Sequence, residues 1–345
     1  MDRRRRDLGT SSPSRRPYPG SRDAPKSGGS GRRKGWRSGE RLRSCRHGEC
    51  HTSGTRGRRV VAVEPALGHL ARQFGTDRVP RRGRALLMQV AHPAVGAGVE
   101  QHSSYAKDPW GRFFRTVDVM MKLAFAPPEV SQRQQRMLDR VHRRAVGTTD
   151  DGARYSAHDP ALQLWVWATL VETAAEMYQR CVGSLSVRDR ERYYQESKLV
   201  AYGCGVPEGA CPTDWASFEA YIDGVVENDL RVTPSARAVA TAALVPPLPF
   251  GLSAPAAIPQ RLVTVGLLPP KVRDDFGFDW STGDQHRLDH LFTTLRMASR
   301  LSLAPLRRLP AEWTIRQDRP LRIPWLQRRG GELTTARLAE AGYRK

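Results

Sequence analysis

The sequence predicts an all-α protein, and three observations favour this class. From about residue 62 onward the apolar residues recur at the three- and four-residue spacing of helices. Prolines and capping residues stand in front of several of these segments, where helices begin. No Asn-Gly or Asp-Gly turn is flanked by alternating strands, since Asp151-Gly152 falls in a loop between helical segments. We therefore expect about eight to ten helices around one core.

Two early helices are bounded by proline. Residues 84–91 are apolar and compatible with a helix, which Pro93 should break or kink. The stretch 110–126 is typical of a buried helix that ends before Pro127-Pro128.

Capping residues define the next two helices. Ser131 is the expected N-cap of a helix that runs to about Val146, with Gly147 just after it. Asp159-Pro160 is a cap followed by proline in the first helical position. The helix that it opens, 160–182, is apolar nearly all round and is therefore expected in the interior.

Further helices are expected along the rest of the chain. They cover 186–203 with Ser186 as cap, 213–230 with Thr213 as cap, 233–244 and 284–303. Residues 246–282 are rich in proline and are expected to form a long connection with short pieces of structure.

The positive charge is concentrated at the N-terminus. The formal net charge is +21, and residues 1–60 are rich in Arg, Gly and Ser but poor in apolar residues. Such a composition predicts a disordered basic extension, followed by a single large domain over 61–345. The extension is either an arm that neutralises nucleic-acid phosphates or a segment without function, and its composition favours the second. Four potential zinc ligands fall within seven residues of it, too close together for a typical structural zinc site: Cys45, His47, Cys50 and His51.

Composition excludes several classes of protein. Five cysteines make no disulfide framework and fit a reducing compartment. No membrane span is expected, because no run of about 18 apolar residues occurs. No apolar segment follows the arginines near the start, so no secretory signal is expected and we place the protein in the cytoplasm.

His142 is the most informative polar residue of the helical region. It falls one turn after Leu138 and one turn before Ala145, so it joins the apolar stripe of an otherwise basic helix. A neutral imidazole on an inward face needs a carbonyl, a carboxylate or a metal as partner. Taken alone, this helix favours a hydrogen-bonded core histidine over a metal ligand.

Two arginines stand at the start of the second apolar helix. Arg112 shares a face with Thr116, and Arg115 lies one turn from Arg112. Their positive charges could be neutralised by an ion pair with Asp108, Asp118 or another acidic residue. A cofactor that carries carboxylates or phosphates could neutralise them equally well. The residues alone leave both interpretations open.

A third polar stretch surrounds a proline. His92 precedes Pro93 at the end of an apolar helix, where it could cap carbonyl groups or line a pocket. Glu100, His102 and Ser103 could serve acid–base chemistry, but no nucleophile elbow or Asp-oriented histidine accompanies them.

Several short motifs occur in an order that resembles one known family. They span residues 86–93, 102–103, 111–116, 141–147, 151–152, 155–157, 159–160, 165–171 and 265–270. Characteristic examples are Gly111-Arg112-Phe113-Phe114-Arg115-Thr116 and Val141-His142-Arg143-Arg144-Ala145-Val146-Gly147. The series resembles the MpaB-like oxygenases, which include the latex-clearing rubber oxygenases, over about residues 84–300.

The resemblance implies a haem b protein with a globin-like helical core and additional helices. By motif order, His142 matches the proximal iron ligand of the rubber oxygenases, so the resemblance favours ligand over core histidine. Arg112 and Thr116 match a pair that lies near the haem in that family. The expected partners are O2 and a small hydrophobic substrate, which can be unsaturated.

The sequence departs from the family at two positions. Arg115 stands where the rubber oxygenases have a lysine that can occupy the distal position on iron, and a guanidinium cannot donate a lone pair. The distal site is then open, has another ligand, or presents a hydrogen-bonding side chain. Trp167 replaces a histidine of many relatives and, with Trp165, is more typical of core packing than of a cofactor site. Glu100 is a weak match for the family's glutamate base.

The sequence therefore predicts a haem-dependent oxygenase. The expected iron ligand is His142, and the expected catalytic residues are Arg112, Arg115 and Thr116, with Arg112 also pairing with a haem propionate or stabilising bound oxygen. Two other functions stay open. One is a non-catalytic haem or hydrophobic-ligand binder of the same fold, and the other is a nucleic-acid binder through residues 1–60.

Overall fold

The computed structural model describes residues 80–301, 316–317 and 320–343. The predictions for residues 1–60, for the domain boundary that follows them and for their cysteine–histidine cluster lie outside these residues. Within the described residues the regular structure is helical apart from one two-stranded sheet, so the all-α prediction is confirmed.

Twelve helices and two strands make up this described part. In chain order they are α1 (Pro80–Ala91), α2 (Pro93–His102), α3 (Pro109–Phe125), α4 (Pro128–Arg144), β1 (Val146–Thr148), β2 (Arg154–Ser156), α5 (Pro160–Cys181), α6 (Val187–Cys204), α7 (Trp215–Asn228), α8 (Pro234–Leu244), α9 (Ser253–Gly266), α10 (Pro270–Phe276), α11 (Thr282–Leu301) and α12 (Pro324–Glu340). The sequence analysis did not predict α2 or α12.

The predicted ends of α4 are wrong. The helix begins at Pro128, because proline in the first position has no N–H that needs a partner. Ser131 is a buried residue inside the helix, and its hydroxyl donates to the carbonyl of Leu123 at 3.4 Å. The helix ends at Arg144 instead of Val146.

The interpretation of Asp151-Gly152 as a loop between helices is also wrong. Strands β1 and β2 pair antiparallel, with Gly147 opposite Tyr155, and the dipeptide lies in the turn between them. Gly152 has a φ of 84°, a left-handed conformation that glycine adopts without steric cost.

Two later boundaries need correction. Helix α7 is capped by Asp214 and not by Thr213, since the Asp214 carboxylate accepts from the backbone N–H of Ser217 at 2.8 Å. The proline-rich stretch 246–282 contains two helices, α9 and α10. Pro259 lies inside α9, where it lacks the backbone N–H that other residues donate.

Helix α1 lies at the centre of the fold. It packs against α2, α5, α8 and α9, and its residues Leu87, Met88 and Val90 are fully buried. Helices α3 and α4 pack against each other and are joined by only two residues. A connection this short makes them an antiparallel helical hairpin.

Candidate functional site

An apolar cavity of about 220 Å³ opens between α1, α3, α8 and α9. Its walls include Leu86, Phe113 and Val239, together with Leu170 from α5. The polar side chains in the lining are Gln89, Tyr105, Arg112, Thr116 and Gln260. The cavity is thus a hydrophobic chamber with one cationic side chain in its wall.

The start of α3 forms one side of this cavity. The Asp108 side chain caps the helix, accepting from the backbone N–H of Gly111 at 2.8 Å. A side chain at Gly111 would collide with that carboxylate. The indole N–H of Trp110 donates to the carbonyl of Pro247 at 3.0 Å, which ties α3 to the connection before α9.

The C-terminal helix α12 backs onto the same wall. Gln327 donates to the Asp108 carboxylate at 3.2 Å. Gly330 lies against the Trp110 ring so closely that an added Cβ would be 2.5 Å from it. The absence of a side chain at Gly330 therefore allows α12 to pack directly on α3.

Arg112 is the charged residue of the cavity wall. Its guanidinium has no carboxylate partner within the described part of the chain. Burial lowers the pKa of Arg112, and the charge of neighbouring Arg115 lowers it further. Burial also raises the pKa of Tyr105, beside it in the wall, to about 12, so that phenol stays protonated. A cation in this setting favours an anionic ligand group.

Arg115 has a different environment from Arg112. It forms an ion pair with Asp108 at 3.0 Å and donates to the Ser104 hydroxyl at 2.9 Å. Its side chain is 49% exposed and does not line the cavity. The ion-pair interpretation therefore applies to Arg115, whereas Arg112 keeps the alternative of an anionic ligand.

Thr116 lies one turn after Arg112 and lines the same cavity. Its hydroxyl donates to the Arg112 carbonyl at 2.9 Å. This internal hydrogen bond leaves the hydroxyl oxygen able to accept, or to donate elsewhere after rotation.

His142 lies on the inner side of α4 and is half-buried. The side-chain amide of Gln163 donates to its Nδ1 at 3.2 Å and to the Ala157 carbonyl at 3.3 Å. Burial lowers the pKa of His142, and the nearby His158 lowers it further, so the imidazole is neutral near pH 7. His158 itself is bound to Asp139 at 3.0 Å.

The helical hairpin sets His142 level with the start of α3. Arg112 stands thirteen residues before the end of α3 and His142 fourteen after the start of α4. At about 1.5 Å per residue, each is about 20 Å from the connection. The structure does not bring His142 into the cavity lining, which contains Arg112 and Thr116 but no residue of α4.

The remaining candidates serve other contacts. His102 is exposed and faces the Val146 carbonyl at 3.1 Å. Neither Glu100 nor Ser103 lines the cavity. His92 is the N-cap residue of α2 but makes no capping hydrogen bond through its side chain, and its buried Nδ1 has no partner among the described residues.

The tryptophan prediction is confirmed. Trp165 and Trp167 are 1% and 3% exposed and belong to the main core. The Trp167 indole donates to the Ser197 carbonyl at 3.1 Å and packs against Tyr194 and Phe218.

The sequence analysis missed Gln163 and Gln260. A glutamine in the otherwise apolar helix 160–182 was an available signal for Gln163, because a buried amide requires partners. No comparable signal existed for Gln260, since its helix was interpreted as a connection.

No helix in the described ranges combines the length and apolar character needed to cross a bilayer. The fold and site thus define a helical protein with an apolar, cation-bearing cavity. The chain belongs to the family described as ER-bound oxygenase mpaB/B′/rubber oxygenase, catalytic domain, which matches residues 73–297. The resemblance found in the sequence is confirmed, and the chain is an oxygenase by family.

Similar proteins include two uncharacterized mycobacterial proteins. One is from Mycobacterium bovis and the other from Mycobacterium tuberculosis, and each is 32% identical to this chain over 225 residues. The matches cover 63% of this chain and 86% of each relative. Among solved structures, the latex clearing protein LCP in the closed state matches with a TM-score of 0.44 and 18% identity, covering 80% of this chain and 72% of that one.

Proposed function

We propose that the chain is a haem b-dependent oxygenase with His142 as the proximal iron ligand. It acts with O2 on a small hydrophobic substrate, which can be unsaturated. The observation that carries the proposal is a neutral, half-buried imidazole, held at one nitrogen by Gln163, level with the start of the helix that lines the cavity.

The donor set of these residues fits haem b. A metal-binding imidazole must be neutral, and the lowered pKa of His142 favours that form. Gln163 holds its Nδ1, and no hydrogen bond engages its Nε2 within the described residues. The apolar cavity with the Arg112 cation suits a hydrophobic group that carries a negative charge at one edge.

Gln163 would have to reverse its amide to serve this ligand. With the Gln163 N–H donating to Nδ1, the neutral ring carries its proton on Nε2. Iron bonding at Nε2 requires the proton on Nδ1 instead. A half-turn of the Gln163 amide places its oxygen where the nitrogen now lies, and that oxygen can accept the Nδ1 proton.

Bound haem would supply the activation of O2, which no amino-acid side chain performs. The chain itself contributes the imidazole, the Arg112 cation for a propionate or a developing negative charge, and the Thr116 hydroxyl as a hydrogen-bond donor. Arg115 is engaged with Asp108 and does not line the cavity, so it would not be expected to hold a group bound there. The apolar walls exclude water from the substrate.

The absorption spectrum of the purified protein tests this proposal. After expression with haem supply we expect a Soret band, which shifts on reduction and again with carbon monoxide. His142→Ala should abolish the band. His158→Ala is the matched control, because His158 lies beside His142 but is bound to Asp139, and it should keep the band.

Haem that stays bound with an unchanged spectrum in His142→Ala would show that the ligand assignment is wrong. A Soret band without O2-dependent product formation would favour a non-catalytic binder of the same fold. If the protein binds nucleic acid through residues 1–60, removal of these residues should abolish that binding and leave the Soret band unchanged.

A further inference from the structure

The chain between α8 and α9 holds large apolar side chains in solvent beside the cavity. It leaves the cavity wall after Pro247 and returns to it at Gln260. Between these two residues, Phe250 is 88% exposed, and Leu252 and Ile258 are exposed as well. Removing such side chains from water is favourable, so a group of them on the outside marks a contact surface.

Phe250 is held in this position at a conformational cost. Its φ is 59°, and no other residue except glycine has a positive φ in the described ranges. An aromatic residue rarely adopts this left-handed region. The Ser253 hydroxyl closes the turn, because it donates to the Leu248 carbonyl at 2.8 Å and accepts from the Leu248 N–H at 2.9 Å. Strain that yields no burial is typical of a residue kept for binding.

Helix α12 adds an aromatic residue to the same end of the cavity wall. Arg337 donates to the Val245 carbonyl at 2.8 Å, and Gly330 lies beside Pro247. The two segments therefore run antiparallel, so the start of α12 extends past Pro247 toward the turn that follows it. Trp325, in the first turn of α12, is exposed. We call these four exposed side chains the portal patch: Phe250, Leu252, Ile258 and Trp325.

The surroundings of the portal patch are cationic. No acidic residue occurs in 238–273 or in 320–331, and the exposed Arg322 and Arg328 flank Trp325 in the sequence. Tryptophan and arginine together are typical of the boundary between lipid headgroups and hydrocarbon. This charge favours an anionic lipid surface over a second copy of the chain, whose equally basic patch would be repelled.

We propose that the portal patch docks the protein on a bilayer that contains anionic lipids. The rings of Phe250 and Trp325 enter the headgroup region, and the arginines beside Trp325 lie at lipid phosphates. Apolar molecules dissolved in the bilayer then reach the cavity next to Pro247 without crossing water. The inference rests on the proposed function only in making these molecules substrates.

Sedimentation with lipid vesicles tests the docking. The probes are vesicles of phosphatidylcholine and vesicles of equal parts phosphatidylcholine and phosphatidylglycerol. We expect the full chain, purified after expression with haem supply, to bind the anionic vesicles more tightly. Phe250→Gly should weaken this binding about 10-fold, as for one apolar side chain removed from a membrane contact. Both proteins carry the same residues 1–60, so the difference between them reports on the portal patch.

Phe250→Gly also separates docking from folding. Glycine adopts a positive φ without steric cost, so the melting temperature should equal or exceed that of the wild type. Arg328→Gln should weaken binding to the anionic vesicles about 5-fold and leave binding to phosphatidylcholine unchanged. Val187→Ser is the matched control, because it removes an 85% exposed side chain at the start of α6, outside the portal patch. It should bind vesicles as the wild type does.

Tryptophan fluorescence measures the orientation on the membrane. Brominated lipids quench a tryptophan that enters the bilayer, and the quenched fraction should shrink in Trp325→Phe. Three results would overturn the inference. They are equal vesicle binding by the wild type and Phe250→Gly, quenching that is unchanged in Trp325→Phe, and a dimer in vesicle-free solution that Phe250→Gly dissociates, since a second copy would then cover the patch.

The Soret band, recorded on the same samples, keeps the two proposals apart. Phe250→Gly should lose vesicle binding and retain the band of the wild type. Absence of the band from the wild-type protein would contradict the proposed function, while vesicle binding would still decide the docking.

Discussion

Arg84 of α1 offers a direct test of how the cavity is held together. Its neighbours Gly83 and Ala85 line the cavity, but Arg84 points away from it and is 4% exposed. The guanidinium pairs with Glu172 and donates to the Thr173 hydroxyl at 2.7 Å. It also donates to the Leu267 carbonyl at 2.5 Å. One side chain therefore joins α1 to α5 and to the end of α9.

Arg84→Met should destabilise the protein strongly. It leaves the Glu172 carboxylate, only 21% exposed, without its cation. Breaking a buried pair from one side costs about 3–5 kcal/mol, and the partial exposure of Glu172 favours the lower end. At about 2–4 °C per kcal/mol for a domain of this size, the melting temperature should fall by about 6–12 °C.

Thermal unfolding followed by circular dichroism measures this change. Arg329→Met is the control, because Arg329 forms a pair with Glu332 in which both side chains are exposed, and its melting temperature should match that of the wild type. The double variant Arg84→Met/Glu172→Leu should recover part of the loss, since it removes the unpaired charge. A melting temperature of Arg84→Met close to that of the wild type would refute the reasoning.

Three further predictions concern the site and its surroundings. Gln163→Leu should weaken haem binding about 10- to 100-fold in a haem titration. Gln163→Glu should strengthen the iron–histidine bond in the resonance Raman spectrum. The control Gln135→Leu should do neither, because Gln135 makes only a 3.4 Å hydrogen bond to Ser131 within α4. Burial lowers the pKa of His92 below its ordinary value of about 6.5. As the pH drops below about 6.5, the unfolded chain therefore binds this proton before the folded protein does, and the free energy of unfolding decreases. His92→Gln should therefore show a smaller loss of melting temperature between pH 7 and pH 5, and an unchanged loss would contradict this. Gly330→Ala should displace Trp110 and lower the melting temperature, whereas Gly224→Ala, with open space around it, should not. Equal melting temperatures for the two variants would count against close packing of α12 on α3.

Local chemistry made much of the fold predictable. Asp159-Pro160 and Ser186 mark helix starts that the structure confirms, because capping depends on neighbouring residues only. The ends of α4 were missed because two signals competed, a proline start at Pro128 and a serine cap at Ser131. Helix α9 was missed because Pro259 is unfavourable in a helix, and the tertiary contacts of α9 with α1 outweigh that preference.

The candidate site was predictable only in part. Arg112 and Thr116 were found because they share a helix face, and both line the cavity. The sequence could not distinguish Arg112 from Arg115, since their environments depend on Asp108 and on the packing of the helix. Gln260 and Arg112 come to line one cavity through the packing of distant segments, which no local pattern records.

The C-terminal helix supports the cavity wall from outside the segment that matches the family. The family match ends at residue 297, whereas α12 begins at Pro324 and presses Gly330 against Trp110. The matched segment thus contains His142 and Arg112, and α12 supports the α3 wall of the cavity through its contact with Trp110. Exchanging α12 for another helical sequence would change the packing behind Trp110 while leaving His142 and Arg112 in place, which offers a modular way to reshape the cavity.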